Sequence, residues 1–155
     1  MSDDIPDPAD LLARGVARML RHMGYVSLPE FRLRSGRRAD VAALNGKGEM
    51  VIVEVKRSVA DFRSDEKWPE YSDYCDFLYF AVPRQFPSEI LPHSCGLIIA
   101  DRYGAEIVRG APKIEPRMHA SRRKEVTLRF AITAGRRLRQ LYDPELAKIE
   151  SDDDF

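Results

Sequence analysis

Apolar positions along the chain change period several times, and each change marks an element. Leu11, Leu12, Val16, Met19, Leu20 and Met23 recur at three- and four-residue spacing. This predicts an amphipathic helix capped by Asp10, with Arg14, Arg18 and Arg21 on its polar face and Gly24 at its end. Tyr25–Leu33 reads as extended but contains Pro29, which cannot donate to a ladder, so it is expected as an edge or irregular strand. After a Ser35-Gly36 turn, Arg38–Leu44 returns as a strand, and Asn45-Gly46-Lys47-Gly48 predicts a hairpin into Glu49–Lys56. Ser58–Asp76 is charged, aromatic and helical in character, with Pro69 as a break or a second start. Phe77–Val82 is nearly all apolar, the mark of a strand buried on both faces. Gly96–Ala100 and Glu106–Arg109 flank a turn at Asp101-Arg102-Tyr103-Gly104. Beyond Pro112 and Pro116, Ser121 to Tyr142 predicts a last helix with Leu128, Ala131, Ile132, Leu138 and Leu141 inward. Val126, Leu128, Phe130 and Ile132 also alternate, which leaves the start of that helix open. The order is that of a mixed α/β domain.

Composition adds bounds. At 155 residues, 44% hydrophobic and 32% charged, the chain can bury one core, and wholesale disorder is excluded. No apolar run reaches the ~20 residues of a membrane span, and the acidic start lacks the basic and apolar regions of a secretory signal. A cytoplasmic protein without membrane association is expected. The net charge of zero conceals an uneven distribution: residues 1–10 carry four acids and no base, and residues 143–155 six acids and one lysine. The segment between them holds 24 basic and 15 acidic residues, about +9, which suits a polyanion-binding body with acidic ends. Residues 1–9 are read as a flexible acidic N-terminus, 10–142 as the single domain and 143–155 as an acidic tail. Cys75 and Cys95 stand apart without zinc spacing and are expected as buried thiols.

Candidate chemistry concentrates at Asp40 and at Glu54-Val55-Lys56. On a strand, Glu54 and Lys56 share a face, and the hairpin at Asn45–Gly48 folds the Asp40 strand back beside them. Two carboxylates, helped by the Val55 carbonyl, suit Mg²⁺ or Mn²⁺ while leaving positions for water and phosphate. Lys56 is placed to orient or activate that water. Glu-x-Lys alone is a weak signal, since a surface ion pair has the same spelling. Here it ends an apolar strand, Met50–Val53, and faces a partner strand, Val41–Leu44, that is equally apolar. Charges in such positions call for a chemical reason.

Asp40 followed by Glu54-Val55-Lys56, between the first and second helices, resembles the PD-(D/E)XK nuclease superfamily. The resemblance implies a restriction-endonuclease-like α-β-β-β-α-β core, here with a C-terminal hairpin and helix. A closer likeness is to the bacterial MmcB-type DNA repair proteins. It is carried by Gly36-Arg37-Arg38-Ala39-Asp40-Val41, Val53-Glu54-Val55-Lys56, Lys67-Trp68-x-x-Tyr71, Cys75-Asp76 and Tyr79-Phe80-Ala81-Val82, and it spans nearly the whole chain. The superfamily's proline before the first aspartate is Ala39 here. Its first-helix glutamate has no counterpart in Leu11–Met23, so the resemblance leaves Glu30 as the candidate for a further metal ligand, or a single-ion site. Lys67 and Tyr71 stand where related nucleases carry Gln-x-x-x-Tyr, which implies contacts to DNA phosphate. Trp68 and Tyr74 are candidates for stacking on a base, with packing against the sheet favoured for Trp68.

Arginines fall in two groups. Arg32, Arg34, Arg37 and Arg38 precede the site and are read as a groove tracking the DNA backbone, while Arg136, Arg137 and Arg139 on the last helix read equally as a solvated face. The leading expectation is a Mg²⁺-dependent DNA endonuclease acting in repair, structure-specific or nonspecific because no base-reading element is evident. The alternatives are a non-catalytic DNA-binding or scaffold subunit that keeps the fold, and an RNA nuclease. A repair-protein partner or a homodimer is left open.

Overall fold

The computed structural model describes residues 7–149. Helix α1 (Pro8–His22) begins earlier than its apolar pattern implies, because Asp7 rather than Asp10 is the cap: its carboxylate accepts from Ala9 N at 2.8 Å. The domain therefore starts inside the stretch 1–9, of which residues 1–6 lie outside the described residues, as do 150–155 of the tail. Six strands follow: β1 (Tyr25–Arg32), β2 (Arg38–Asn45), β3 (Met50–Val55), β4 (Phe77–Val82), β5 (Gly96–Ala100) and β6 (Ala105–Arg109). They form one sheet in chain order, with β3–β4–β5 parallel at the centre and antiparallel pairs outside. Pro29 sits on the β1 edge, as its missing N–H requires.

Two layers cover the sheet. Leu12, Val16 and Leu20 of α1 pack on Val41, Val53, Ala81 and Ile98 on one face. The approach is close at Gly15, where a Cβ would lie 1.9 Å from the Asp101 carbonyl oxygen, so only glycine lets α1 cross the β5–β6 turn. On the other face, Ile52, Leu78 and Phe80 are buried with Phe31 and with Phe130 of helix α3 (Ala120–Tyr142). Each fully buried large apolar side chain contributes about 1.5–3 kcal/mol, and Phe31, Phe80, Ile52 and Ile98 are all below 2% exposed.

The α-β-β-β-α-β order is present, but its second helix is not continuous. Helix α2 (Val59–Ser64) stops at Asp65, and a 3-10 turn (Trp68–Tyr74) carries the crossover to β4, with Pro69 in its first turn. Trp68 packs edge-on against Phe80 with ring centroids 5.2 Å apart, the core role expected for it. Tyr74 is buried beneath the Arg122 guanidinium, 4.9 Å from the ring centroid, which removes it from base stacking. Cys75 and Cys95 are buried free thiols, as expected.

Helix α3 turns a different face inward from the one its leucines suggest. Leu128, Ala131, Ile132, Leu138 and Leu141 are all exposed, Leu141 to 80%, and only Val126 and Phe130 are buried. The docked stripe is Arg123, Val126, Phe130, Thr133 and Arg137, spaced three and four apart, and its two ends are held by polar bonds. Arg123 forks onto the buried Asp76 at 2.9 and 2.7 Å, and Arg137 forks onto the carbonyls of Pro29 and Glu30 at 2.5 and 2.7 Å.

A carboxylate pair where two ladders open

Asp40 lies where β2 loses its neighbours on both sides. Toward β1, the register passes from Pro29↔Val41 to Phe31↔Ala39 with no pair between, and Glu30 adopts φ 47°, an unfavourable backbone for a residue with a Cβ. Toward β3, pairing ends at Val41↔Val53. Beyond it, side chains replace the ladder: Glu54 Oε1 accepts the Asp40 N–H at 3.1 Å, and Asp40 Oδ2 accepts the Val55 N–H at 2.8 Å. Each carboxylate thus holds the opposite strand.

Glu54 is 3% exposed and Lys56 5%. Burial, then the neighbouring Asp40 charge, pushes Glu54 up to about 9, and burial also raises Asp40 against the opposing pull of the Val55 N–H and of Lys56. A proton or a cation on the pair would relieve the repulsion between the two carboxylates. Lys56 Nζ donates to Asp65 Oδ2 at 2.6 Å. Asp65 also accepts from Lys67 N and Trp68 N at 2.9 and 3.2 Å, and these bonds outweigh burial and hold its carboxyl below the usual range. One aspartate therefore accepts the N–H groups at the entry to the 3-10 turn and fixes the lysine beside the pair.

The three side chains open on a cavity of about 350 Å³, whose rim adds Asp61 and Arg57. Arg57 reaches Asp7 at 3.1 Å and Asp61 at 3.9 Å. Among the described residues, no group of three His, Cys, Asp or Glu side chains is arranged to hold a metal. The donor set nevertheless fits Mg²⁺, which binds through one or two carboxylates and keeps much of its water. Asp40 and Glu54 would hold it, and Val55, whose carbonyl is the expected further oxygen, lines the same cavity.

The other expected contacts disperse. Glu30 lines a different cavity and is not among the residues lining the one at the carboxylate pair. Tyr71 is buried, and its hydroxyl donates to the Arg38 carbonyl at 2.9 Å, pinning the start of β2 rather than reaching a phosphate. Arg37 Nε donates to Glu70 at 2.8 Å. Arg34 lines a separate cavity beside Tyr74, Lys67 is exposed, and only Arg32 and Arg38 stay together. The sequence reading missed Asp65, although its place two and three residues before the N–H groups it accepts is a readable capping signal.

No helix among the described residues is long and apolar enough to cross a membrane. No curated protein matches the chain. Among solved structures, the SPO1766 protein of unknown function from Silicibacter pomeroyi is similar, at 48% identity with a TM-score of 0.85, over 91% of this chain and 95% of that one. The model of the MmcB-like family, described as DNA repair protein MmcB-like, matches residues 2–145. Family match and fold extend together over nearly the whole described domain, and the chain belongs to the MmcB-like DNA repair proteins.

Proposed function

We propose that the protein is a metal-dependent DNA endonuclease of the PD-(D/E)XK type acting in repair. The observation that carries this reading is the pair of half-buried Asp40 and buried Glu54, splayed out of two ladders and flanked by a lysine held in place by Asp65. Mg²⁺ or Mn²⁺, when bound, would supply charge neutralisation at the phosphate and a water of lowered pKa. Asp40 and Glu54 would hold the ion. Lys56 orients the attacking water and pairs with charge developing on the phosphate, and Asp65 keeps its ammonium from swinging into solvent. The second reading, a DNA-binding subunit without catalysis, is favoured by the absence of a third carboxylate ligand among the described residues.

Metal binding alone tests the site. Mn²⁺ should raise the melting temperature of the wild type by several degrees, because it binds only the folded chain. The increment should be small near pH 6 and grow toward pH 8–9, since the raised Glu54 pKa means that a proton competes with the ion until it is lost. The sign for the metal-free chain is opposite. A carboxyl whose folded pKa is raised gives its full stability below the unfolded value and loses it as pH climbs toward about 9. Asp40→Asn should abolish the Mn²⁺ increment while leaving the metal-free protein at least as stable near pH 8. A preserved increment in Asp40→Asn sinks the metal site.

A further inference from the structure

We infer that the cavity between the interrupted β1–β2 edge and helix α3 is a cradle for the phosphates of a nucleic-acid backbone, separate from the carboxylate pair. It encloses about 450 Å³, and its lining includes five arginines and a single acid, Glu30. Arg32 and Arg38 come from the ends of β1 and β2, and Arg129, Arg136 and Arg137 come from α3. The two arginine groups that lie a hundred residues apart in the chain thus share one wall. Arg32 and Arg38 are direct cross-strand partners, and like charges in that position repel unless an anion lies between them. Neither side chain has a hydrogen bond or ion pair among the described residues.

The backbone around the cradle is fixed for this purpose. Arg137 spends its fork on the Pro29 and Glu30 carbonyls, which hold the strained turn of β1 but neutralise no charge. Arg129 pairs with Glu125 at 2.8 Å, and Thr133 adds a hydroxyl to the wall. Planar guanidinium forks match phosphate oxygens, and several in one concavity select a chain of phosphates over a lone carboxylate. Arg38 precedes Asp40 by two residues, about 6–7 Å of strand, so a backbone gripped here passes the carboxylate cavity within a few nucleotides. The inference rests on the reading that the chain handles DNA, and it does not require hydrolysis.

The test is anisotropy of a fluorescein-labelled DNA duplex titrated with the full chain in EDTA, at a series of salt concentrations. Arg32→Gln with Arg38→Gln, both exposed and without partners, should fold as wild type, bind at least tenfold more weakly, and lose about two units of salt slope. Arg84→Gln with Arg102→Gln, exposed arginines lining another cavity, should change neither. That pattern in a chain that cuts no DNA under any metal still supports the cradle, while the hydrolytic proposal falls. Unchanged affinity and slope in the Arg32/Arg38 variant overturns the cradle, as does an equal loss in the control pair or no DNA binding by the wild type. A polyglutamate peptide that displaces DNA at equal charge, with the same arginine dependence, overturns it in favour of an acidic protein partner.

Discussion

Lys56→Ala is expected to slow DNA cleavage by at least a thousandfold at saturating DNA, while DNA affinity in Ca²⁺ falls by no more than one phosphate contact's worth. Lys56 is 5% exposed, lines the cavity that Asp40 and Glu54 line, and has its ammonium held by Asp65 at 2.6 Å. Its charge lowers the cost of ionising both carboxylates, as it would that of an anion held between them. Groups that move or steady a proton in the transition state contribute roughly 10²–10⁴ in rate, and removing a preorganised charge from a desolvated site adds to that. The fold should survive the change, because Asp65 keeps the backbone N–H groups of Lys67 and Trp68. Single-turnover rates with excess enzyme separate the chemical step from binding. A Lys56→Ala protein that cuts as fast as wild type would leave the DNA-binding subunit as the better account.

Asp76→Ala is expected to remove about 3 kcal/mol of stability, the largest loss from any single polar side chain here. Asp76 is 4% exposed and joins three elements. Its carboxylate accepts the Arg123 fork from α3 and the Met50 N–H at the start of β3, while its backbone exchanges bonds with Met50 and with Ile114. Removing the carboxylate leaves the Arg123 guanidinium with the Gly48 carbonyl but no counter-charge, and leaves the Met50 N–H without its acceptor. Burial alone would raise this carboxyl, but the Arg123 and Met50 bonds prevail and hold it below its usual value. Its contribution is therefore fully present above the unfolded pKa near 4 and is lost as pH falls through the lower folded value. Urea unfolding should show the gap between variant and wild type at pH 7 and a narrower gap in strong acid, with the slope m unchanged. A loss under 1 kcal/mol would mean that α3 is held by Val126 and Phe130 without the ion pair.

Much of this was legible because apolar period and turn chemistry agreed. The Asn45–Gly48 hairpin, the buried Phe77–Val82 strand and the Pro29 edge strand all stand where their residues place them. So does the facing of Asp40 and Glu54, since one tight turn between two strands fixes which residues meet. The reading failed where polar bonds, not apolar burial, decide the packing. Helix α3 docks by Arg123 and Arg137 at either end of a short apolar patch, so counting leucines selected the solvent face. Similarly, Tyr71 and Arg37 looked available for phosphate because their partners, the Arg38 carbonyl and Glu70, meet them only in the folded chain. The opening of both ladders at Asp40 depends on the Glu30 backbone and on side-chain-to-backbone bonds, which leave no mark on residue periodicity.

The most direct measurement is single-turnover cleavage of single-stranded, nicked and branched DNA by the wild type and by Glu54→Gln in Mn²⁺, with the two proteins first shown to bind each DNA equally in Ca²⁺. Glutamine keeps the size of the buried side chain and an oxygen for the Asp40 N–H, so the fold and the grip should be retained. The expected result is that the wild type cuts at least one of these DNAs in Mn²⁺ and none in EDTA, while Glu54→Gln cuts none above background. A wild type that binds all three and cuts none, or a Glu54→Gln that matches its rate, contradicts a hydrolytic metal site at Asp40 and Glu54.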